Sequence, residues 1–101
     1  MAFTLLNEVN ADTTPADADC YLSDGGCKSL LIDAVSFGGG KVTIEVKRLN
    51  GQWVTPTLPD GSLAEFTANA LEKFDYVGQG LIVRAKLTGA TAPSKVNVFL
   101  S

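Results

Sequence analysis

The chain is most informative between residues 36 and 58, where it reads SFGGGKVTIEVKRLNGQWVTPTL. Three glycines form a corner, and residues 41–49 follow, in which Val42, Ile44 and Val46 alternate with polar side chains. Alternation with a period of two is typical of a strand that is buried on one face and solvated on the other. The stretch therefore predicts β-structure.

The second half of the same stretch predicts a hairpin. Asn50 and Gly51 both tolerate a positive φ, so they predict a type I′ turn. A second strand over 52–58 then begins near Trp53, the single tryptophan of the chain. Pro56 cannot donate a hydrogen bond to a neighbouring strand, so we expect this strand to lie at a sheet edge or to end early.

The period of two recurs along the rest of the chain and predicts further strands. Residues 81–87 alternate apolar with mostly polar side chains, and residues 95–100 place Phe99 on the face opposite three other apolar residues. Residues 3–9 predict a first strand, and the apolar run over 29–37 predicts a more fully buried one. With about seven or eight strands, the sequence predicts an all-β fold, either an antiparallel β-sandwich or a jelly-roll-like barrel.

One segment carries a competing helical signal. Ser62 and Glu65 match the capping box that begins many helices, and apolar residues follow at nearly helical spacing, which predicts a short helix near residues 63–74. The alternative is two short strands joined by a turn at 68–70. We favour the strands, because sheet segments are predicted on both sides.

The length of 101 residues leaves room for one domain. Residues 1–40 carry six acids and one base, whereas residues 41–101 carry five acids and seven bases. We therefore divide the chain into an acidic N-terminal segment and loop, residues 1–28, and a β-sandwich core, residues 29–101. The hydrophobic content of 46% is high for a small free-standing domain, which suggests that some apolar surface contacts a partner.

Charge and hydropathy exclude two classes of partner. The net charge of −3 provides no positive field for phosphate groups, so we expect no nucleic acid to bind. No apolar run approaches the roughly 20 residues of a spanning helix, and the N-terminus lacks the features of a secretion signal. We expect the protein to be made in the cytoplasm and not to associate with membranes.

The acidic loop contains two aspartates and two cysteines that could have a role. Asp17 and Asp19 could offer oxygen ligands to a hard cation, but the twelve-residue calcium-loop pattern is absent, which favours a solvated loop. Cys20 and Cys27 bracket an Asp-Gly-Gly turn that could bring them within disulfide distance. Reduced thiols that pack as small hydrophobic groups are the other interpretation.

The residues do not assemble into a recognisable catalytic motif. The chain contains no histidine, so a histidine-based triad is excluded. Gly-Gly-Gly-Lys at 38–41 lacks the other residues of a phosphate-binding loop, and the carboxylates have no spacing that pairs two of them. We therefore predict no enzyme activity, no catalytic residue, no cofactor and no metal site.

The order of these elements resembles small structural proteins of tailed-bacteriophage virions. The resemblance covers about residues 29–101 and rests on LLIDAVSFGGGKVTIEV, NGQWV, EFTA and the C-terminal GLIVRAKLTGATAPSKVNVFL. It implies a β-sandwich or jelly-roll-like protein that decorates or cements the capsid exterior, commonly as a trimer. The implied location is the virion surface, after synthesis in the host cytoplasm, and the implied partners are the major capsid protein or other virion proteins.

The sequence also leads to hypotheses about which residues contact other protein subunits. Phe99 faces away from the predicted core, and we expect it to form a subunit interface together with Arg84 and Lys86. We expect the acidic segment with Asp17 and Asp19 to contact the shell or a neighbouring copy, and deletion of residues 1–19 to abolish this contact without unfolding the domain. A tail, fibre or head-fibre component, or a carbohydrate-binding module that uses exposed aromatic rings, is the alternative.

Overall fold

The computed structural model describes residues 3–14, 21–22, 29–47, 50–58, 60–73 and 82–101. Within these ranges the protein is built from strands, and none of the described residues is helical. The nine strands are β1 (Phe3–Val9), β2 (Tyr21–Leu22), β3 (Ser29–Asp33), β4 (Lys41–Lys47), β5 (Trp53–Val54), β6 (Glu65–Phe66), β7 (Ala70–Lys73), β8 (Ile82–Thr88) and β9 (Val96–Leu100).

The strands form two antiparallel sheets. The four-stranded sheet has the order β1-β9-β3-β7. The five-stranded sheet has the order β2-β8-β4, and β5 and β6 both pair with the other edge of β4. The arrangement is a β-sandwich, which confirms the predicted fold class. The described strands exceed the predicted seven or eight because several of them are only two residues long.

The alternating apolar residues form the core between the two sheets. β4, β8 and β9 each direct three fully or almost fully buried side chains inward, as their sequence pattern predicts: Val42, Ile44, Val46, Val83, Ala85, Leu87, Val96, Val98 and Leu100. Burial of a large aliphatic side chain contributes about 1.5–3 kcal/mol to folding, so this alternation supplies most of the driving force for the fold.

The first strand belongs to the sandwich, so a boundary at residue 28 does not separate the core from an appendage. β1 pairs with β9, and its Leu5 and Leu6 are buried among the core residues. Deletion of residues 1–19 would remove an edge strand and two core side chains. From the structure we therefore expect such a deletion to destabilise the domain, in contrast to the expectation from the sequence.

After β1 the chain crosses to the other sheet and is fixed there by backbone and side-chain hydrogen bonds. Thr13 forms an isolated bridge with Leu87 of β8. The carboxylate of Asp12 accepts hydrogen bonds from the backbone N–H groups of Gly89 and Ala90 at 3.1 and 2.9 Å. One of the N-terminal acids thus has a structural role, because it satisfies two backbone donors at the end of β8.

The glycine corner connects β3 in one sheet to β4 in the other. Gly38 has a φ of +61°, and a Cβ atom there would lie 2.3 Å from the carbonyl oxygen of Thr91. The N–H of Thr91 in turn donates to the carbonyl of Gly38 at 2.8 Å. Close approach of two backbones leaves no room for a side chain, which explains why glycine is required here.

The predicted hairpin exists, but its turn is different from the predicted one. Lys47 pairs with Trp53, whereas a two-residue loop at 50–51 would pair Lys47 with Val54. Gly51 has a φ of +90°, and the side chain of Asn50 accepts a hydrogen bond from the N–H of Gln52. The prediction of a two-residue type I′ turn is wrong. The second strand ends after Val54, before Pro56, as expected.

The helical alternative near residues 63–74 is wrong over residues 63–73, which the structure describes. β6 pairs with β4, and β7 pairs with β3, so the segment contributes one short strand to each sheet. Ser62 donates through both its N–H and its hydroxyl to Asp60, and this closes a turn instead of capping a helix. Available sheet partners therefore outweigh the local capping signal.

The apolar run over 29–37 is less buried than predicted. Leu30 and Ile32 lie in the core, but Leu31 and Val35 are exposed. In β3, successive side chains point to opposite faces, whatever their hydropathy. No helix among the described residues has the length and apolar character needed to cross a bilayer.

Candidate protein-binding face

Each sheet has an outer face, on the side away from the core, and the two outer faces differ in chemistry. In antiparallel sheets, residues that pair directly across two strands share a face. The register of the strands therefore shows which outer side chains lie next to one another. The outer face of the four-stranded sheet carries exposed apolar residues.

The register places three apolar side chains in one line across the four-stranded sheet. Leu71 of β7 pairs with Leu31 of β3, and Leu31 pairs on its other side with Phe99 of β9. Leu71 is 72% exposed and Leu31 is 39% exposed, and Phe99 is half-buried between its neighbours. We call Leu71, Leu31 and Phe99 the apolar row. Thr4 of β1 pairs with Phe99 and ends the line.

Polar residues of opposite charge flank the apolar row. On one side, two residues along the strands, lie Lys73 and Ser29, which pair with each other. On the other side lie Asp33 and Asn97, which also pair. Asp33 accepts a weak hydrogen bond of 3.4 Å from the side chain of Asn69. The face thus has an apolar centre between a positive and a negative margin.

The two edges of the four-stranded sheet are unsuited to pairing with another strand. Along β1 the register with β9 shifts twice, and Glu8 has a φ of +48°. At the other edge, Glu72 of β7 pairs with the buried Leu30, so its side chain lies on the inward side at the rim of the core. Irregular edges and inward-facing charges are common devices that prevent edge-to-edge association. The exposed face, more than the edges, can therefore receive a partner.

The outer face of the five-stranded sheet is occupied by an ion-pair cluster. Glu45 of β4 lies directly opposite Arg84 of β8. Its Oε1 accepts from Nε and Nη2 of Arg84 at 2.8 and 2.7 Å, and its Oε2 lies 3.2 Å from Nζ of Lys86. The side chains of Glu45 and Arg84 are only 10% and 14% exposed. The cluster therefore satisfies its own charges within the face.

The ring of Trp53 contacts this cluster. The guanidinium carbon of Arg84 lies 3.9 Å from the centroid of the Trp53 ring, and Nζ of Lys47 lies 5.9 Å from it. These distances are those of cation–π contacts. A sugar that stacked on the ring face covered by Arg84 would have to displace this side chain from the ring.

The structure does not bring together all the residues that the sequence suggested for an interface. Phe99 lies on the outer face of one sheet, whereas Arg84 and Lys86 lie on the outer face of the other, on the opposite side of the sandwich. A single flat interface cannot include all three. Four other predicted residues lie outside the described part of the chain, and their predictions stay untested: Asp17, Asp19, Cys20 and Cys27.

Sequence reasoning identified Phe99 but missed its two neighbours in the apolar row. The outward position of Phe99 follows from the alternation in β9. Leu31 lies in a continuous apolar run, and Leu71 lies in the segment with the helical signal, so neither shows alternation. Their alignment depends on the register of three strands that are distant in sequence, which a single sequence does not reveal.

Comparison with known proteins supports the fold assignment. No protein-family model matches the chain, and no curated protein matches it. Among solved structures, the chain is similar to the SPBc2 prophage-derived protein YomS, with a TM-score of 0.63 and 14% sequence identity. The similarity covers 99% of this chain and 90% of that chain. At this level of identity, the comparison shows that the two proteins share a fold.

Proposed function

We propose that the protein is a non-enzymatic structural protein of a bacteriophage virion, which binds the capsid exterior as a decoration or cement protein. The observation that carries the proposal is the apolar row, which crosses a face that suits a protein partner and leaves the side chain of Leu71, on the edge strand β7, 72% exposed. The shared fold with a prophage-derived protein supports a phage origin.

A cementing protein needs complementary surface and no reactive group. Contacts of a small module with a symmetric shell are individually weak, but a homo-oligomer engages several of them at once, and the combined attachment is durable. In this proposal the apolar row forms the contact between copies of the protein. The acidic loop with Asp17 and Asp19 contacts the major capsid protein. The five-stranded sheet, with its self-satisfied ion pairs, acts as a rigid support.

The test is to mix the purified protein with capsids of a candidate phage that lack it, and to image the particles by electron cryomicroscopy. We expect symmetric additional density on the shell. Bare shells would contradict capsid decoration. Density at the tail or at fibres would instead support the alternative, a tail, fibre or head-fibre component with a part in host attachment.

A pair of leucine variants makes the same experiment specific for the face. Leu71→Ser removes the most exposed member of the apolar row. Leu63→Ser is the matched control, because Leu63 is also exposed, at 51%, but lies near β5 and β6. We expect reduced shell occupancy for Leu71→Ser and unchanged occupancy for Leu63→Ser. Equal occupancy for both variants would exclude a role for the apolar row.

A further inference from the structure

We propose that the outer face of the four-stranded sheet packs against the same face of a second copy of this chain, about a two-fold axis that runs along the apolar row. The inference names the partner of the face on which the proposed function rests. It concerns the free protein, so it can be tested without capsids.

The apolar row fits a copy of itself. A two-fold axis along the row, midway between two facing sheets, places each apolar side chain over its equivalent in the second copy. Leu71, Leu31 and Phe99 would then form one continuous apolar strip between the sheets. Aligned packing of two sheets face to face, about 10 Å apart, is a common arrangement of β-structure.

The charges on the two margins are complementary under the same rotation. A two-fold rotation about the row exchanges its two sides, so Lys73 of the second copy moves to the side on which Asp33 of the first copy lies. The two residues belong to neighbouring strands, so they are offset by about 4.8 Å across the sheet. A lysine side chain spans this offset. Because the axis repeats each contact, two such ion pairs form, and like charges do not meet.

The edges of the sheet argue against the alternative of strand addition. The register shifts of β1 and the inward Glu72 of β7 disfavour pairing of either edge with a second copy. Association of copies through this sheet is therefore expected to use the face. Such a pair differs from the trimer that the resemblance to virion proteins implies, and the mass of the assembly distinguishes the two.

The size of the face predicts a weak pair. Four strands, each about five residues long, give a face of about 19 by 17 Å. The area of such a face is smaller than the roughly 800 Å² that each partner contributes to a standard interface. We therefore expect a reversible equilibrium between monomer and dimer that responds to dilution.

The first test is sedimentation equilibrium of the full chain in a dilution series from micromolar to millimolar concentrations. We expect the mass to rise toward twice the 10.6 kDa of one chain. We expect Leu71→Ser to raise the concentration at half-dissociation about ten-fold or more, and Leu63→Ser to leave it unchanged. A mass that remains that of a monomer throughout, or that rises to a trimer, would overturn the inference.

The second test examines the orientation of the pair by charge exchange. Lys73→Glu and Asp33→Lys each place like charges opposite one another, so we expect each to weaken the pair. The double variant restores opposite charges, and we expect it to return association to near the original value. If the double variant weakened association by the sum of the two single effects, the two-fold arrangement would be contradicted. Failure of these tests leaves capsid binding to be decided by imaging, since a monomer could still bind a shell.

Discussion

The two outer faces of the sandwich differ in how far their side chains are engaged within the molecule. On the five-stranded sheet, Glu45 forms ion pairs with Arg84 and Lys86, and Arg84 also contacts the Trp53 ring. The charged groups of this cluster are therefore paired within the molecule. On the four-stranded sheet, Leu71 and Leu31 remain exposed to solvent. Burial of apolar surface lowers the free energy, and exposed apolar groups obtain this stabilisation only when a second molecule covers them.

The difference teaches that exposure, more than residue type, indicates a binding face here. Arg and Trp are residues that interfaces favour, and both occur on the outer face of the five-stranded sheet. Their side chains, however, are already engaged with one another. The less conspicuous leucines of the four-stranded sheet are therefore the better candidates for contact with another protein.

The largest expected effect comes from the corner that connects the two sheets. Gly38→Ala places a Cβ atom 2.3 Å from the carbonyl oxygen of Thr91, and the backbone must move to relieve the clash. We expect the free energy of unfolding to fall by about 3 kcal/mol or more, measured by urea denaturation. Because this substitution disturbs the connection between the two sheets, we expect it to alter the arrangement of side chains on both outer faces.

Gly39→Ala is the matched control for the corner. Gly39 also has a positive φ, +76°, but a Cβ atom there would meet nothing within 4 Å. We expect a loss of about 1 kcal/mol, which is the cost of a left-handed conformation for alanine. Equal losses at the two glycines would contradict the close approach of Gly38 to Thr91.

An intermediate effect is expected on the five-stranded sheet. Glu45→Gln keeps the size of the side chain but leaves Arg84 and Lys86 without their carboxylate. We expect the free energy of unfolding to fall by about 2 kcal/mol, because the charges that remain are largely buried. Self-association measured on the same sample should not change.

The exposed ion pair between Lys41 and Glu65 provides the comparison for this variant. Its side chains are 45% and 34% exposed, although its 3.0 Å distance is similar to those in the Glu45 cluster. We expect Glu65→Gln to change stability by no more than about 0.5 kcal/mol. A loss as large as that of Glu45→Gln would show that burial does not set the difference.

The smallest effect on stability is expected on the four-stranded sheet. Leu71→Ser alters a side chain that is mostly in solvent, so thermal and urea unfolding at low protein concentration should agree with those of the original chain within about 0.5 kcal/mol. A substantial loss would mean that Leu71 supports the fold of a single copy. It would then be a poor marker of an interface.

The sequence predicts the parts of the fold that rest on local alternation. β4, β8 and β9 have strict periods of two, and their inward-facing residues are those expected, but Thr43 and Glu45 on the outer face of β4 are also buried. The turn after β4 was predicted wrongly because the strand pairing, and not the Asn-Gly pair alone, sets the loop length. The segment around Ser62 gave a helical signal because capping motifs are local, whereas its strand partners are distant in the chain.

The candidate site was less predictable for a related reason. Phe99 could be assigned to an outer face from β9 alone, but Arg84 and Lys86 could not be assigned to a different sheet until the strand order was known. The near-complete burial of Glu45 also depends on neighbours from β8, which alternation within β4 does not include. Sites built across strands therefore require the register, which one sequence does not supply.

The most direct test of the difference between the two faces is to follow side-chain and amide NMR signals while the protein is diluted. We predict concentration-dependent shifts at Leu31, Leu71 and Phe99, and constant signals at Glu45 and Arg84. Shifts confined to the five-stranded sheet, or signals that stay constant at every position, would contradict the assignment of the four-stranded sheet as the binding face.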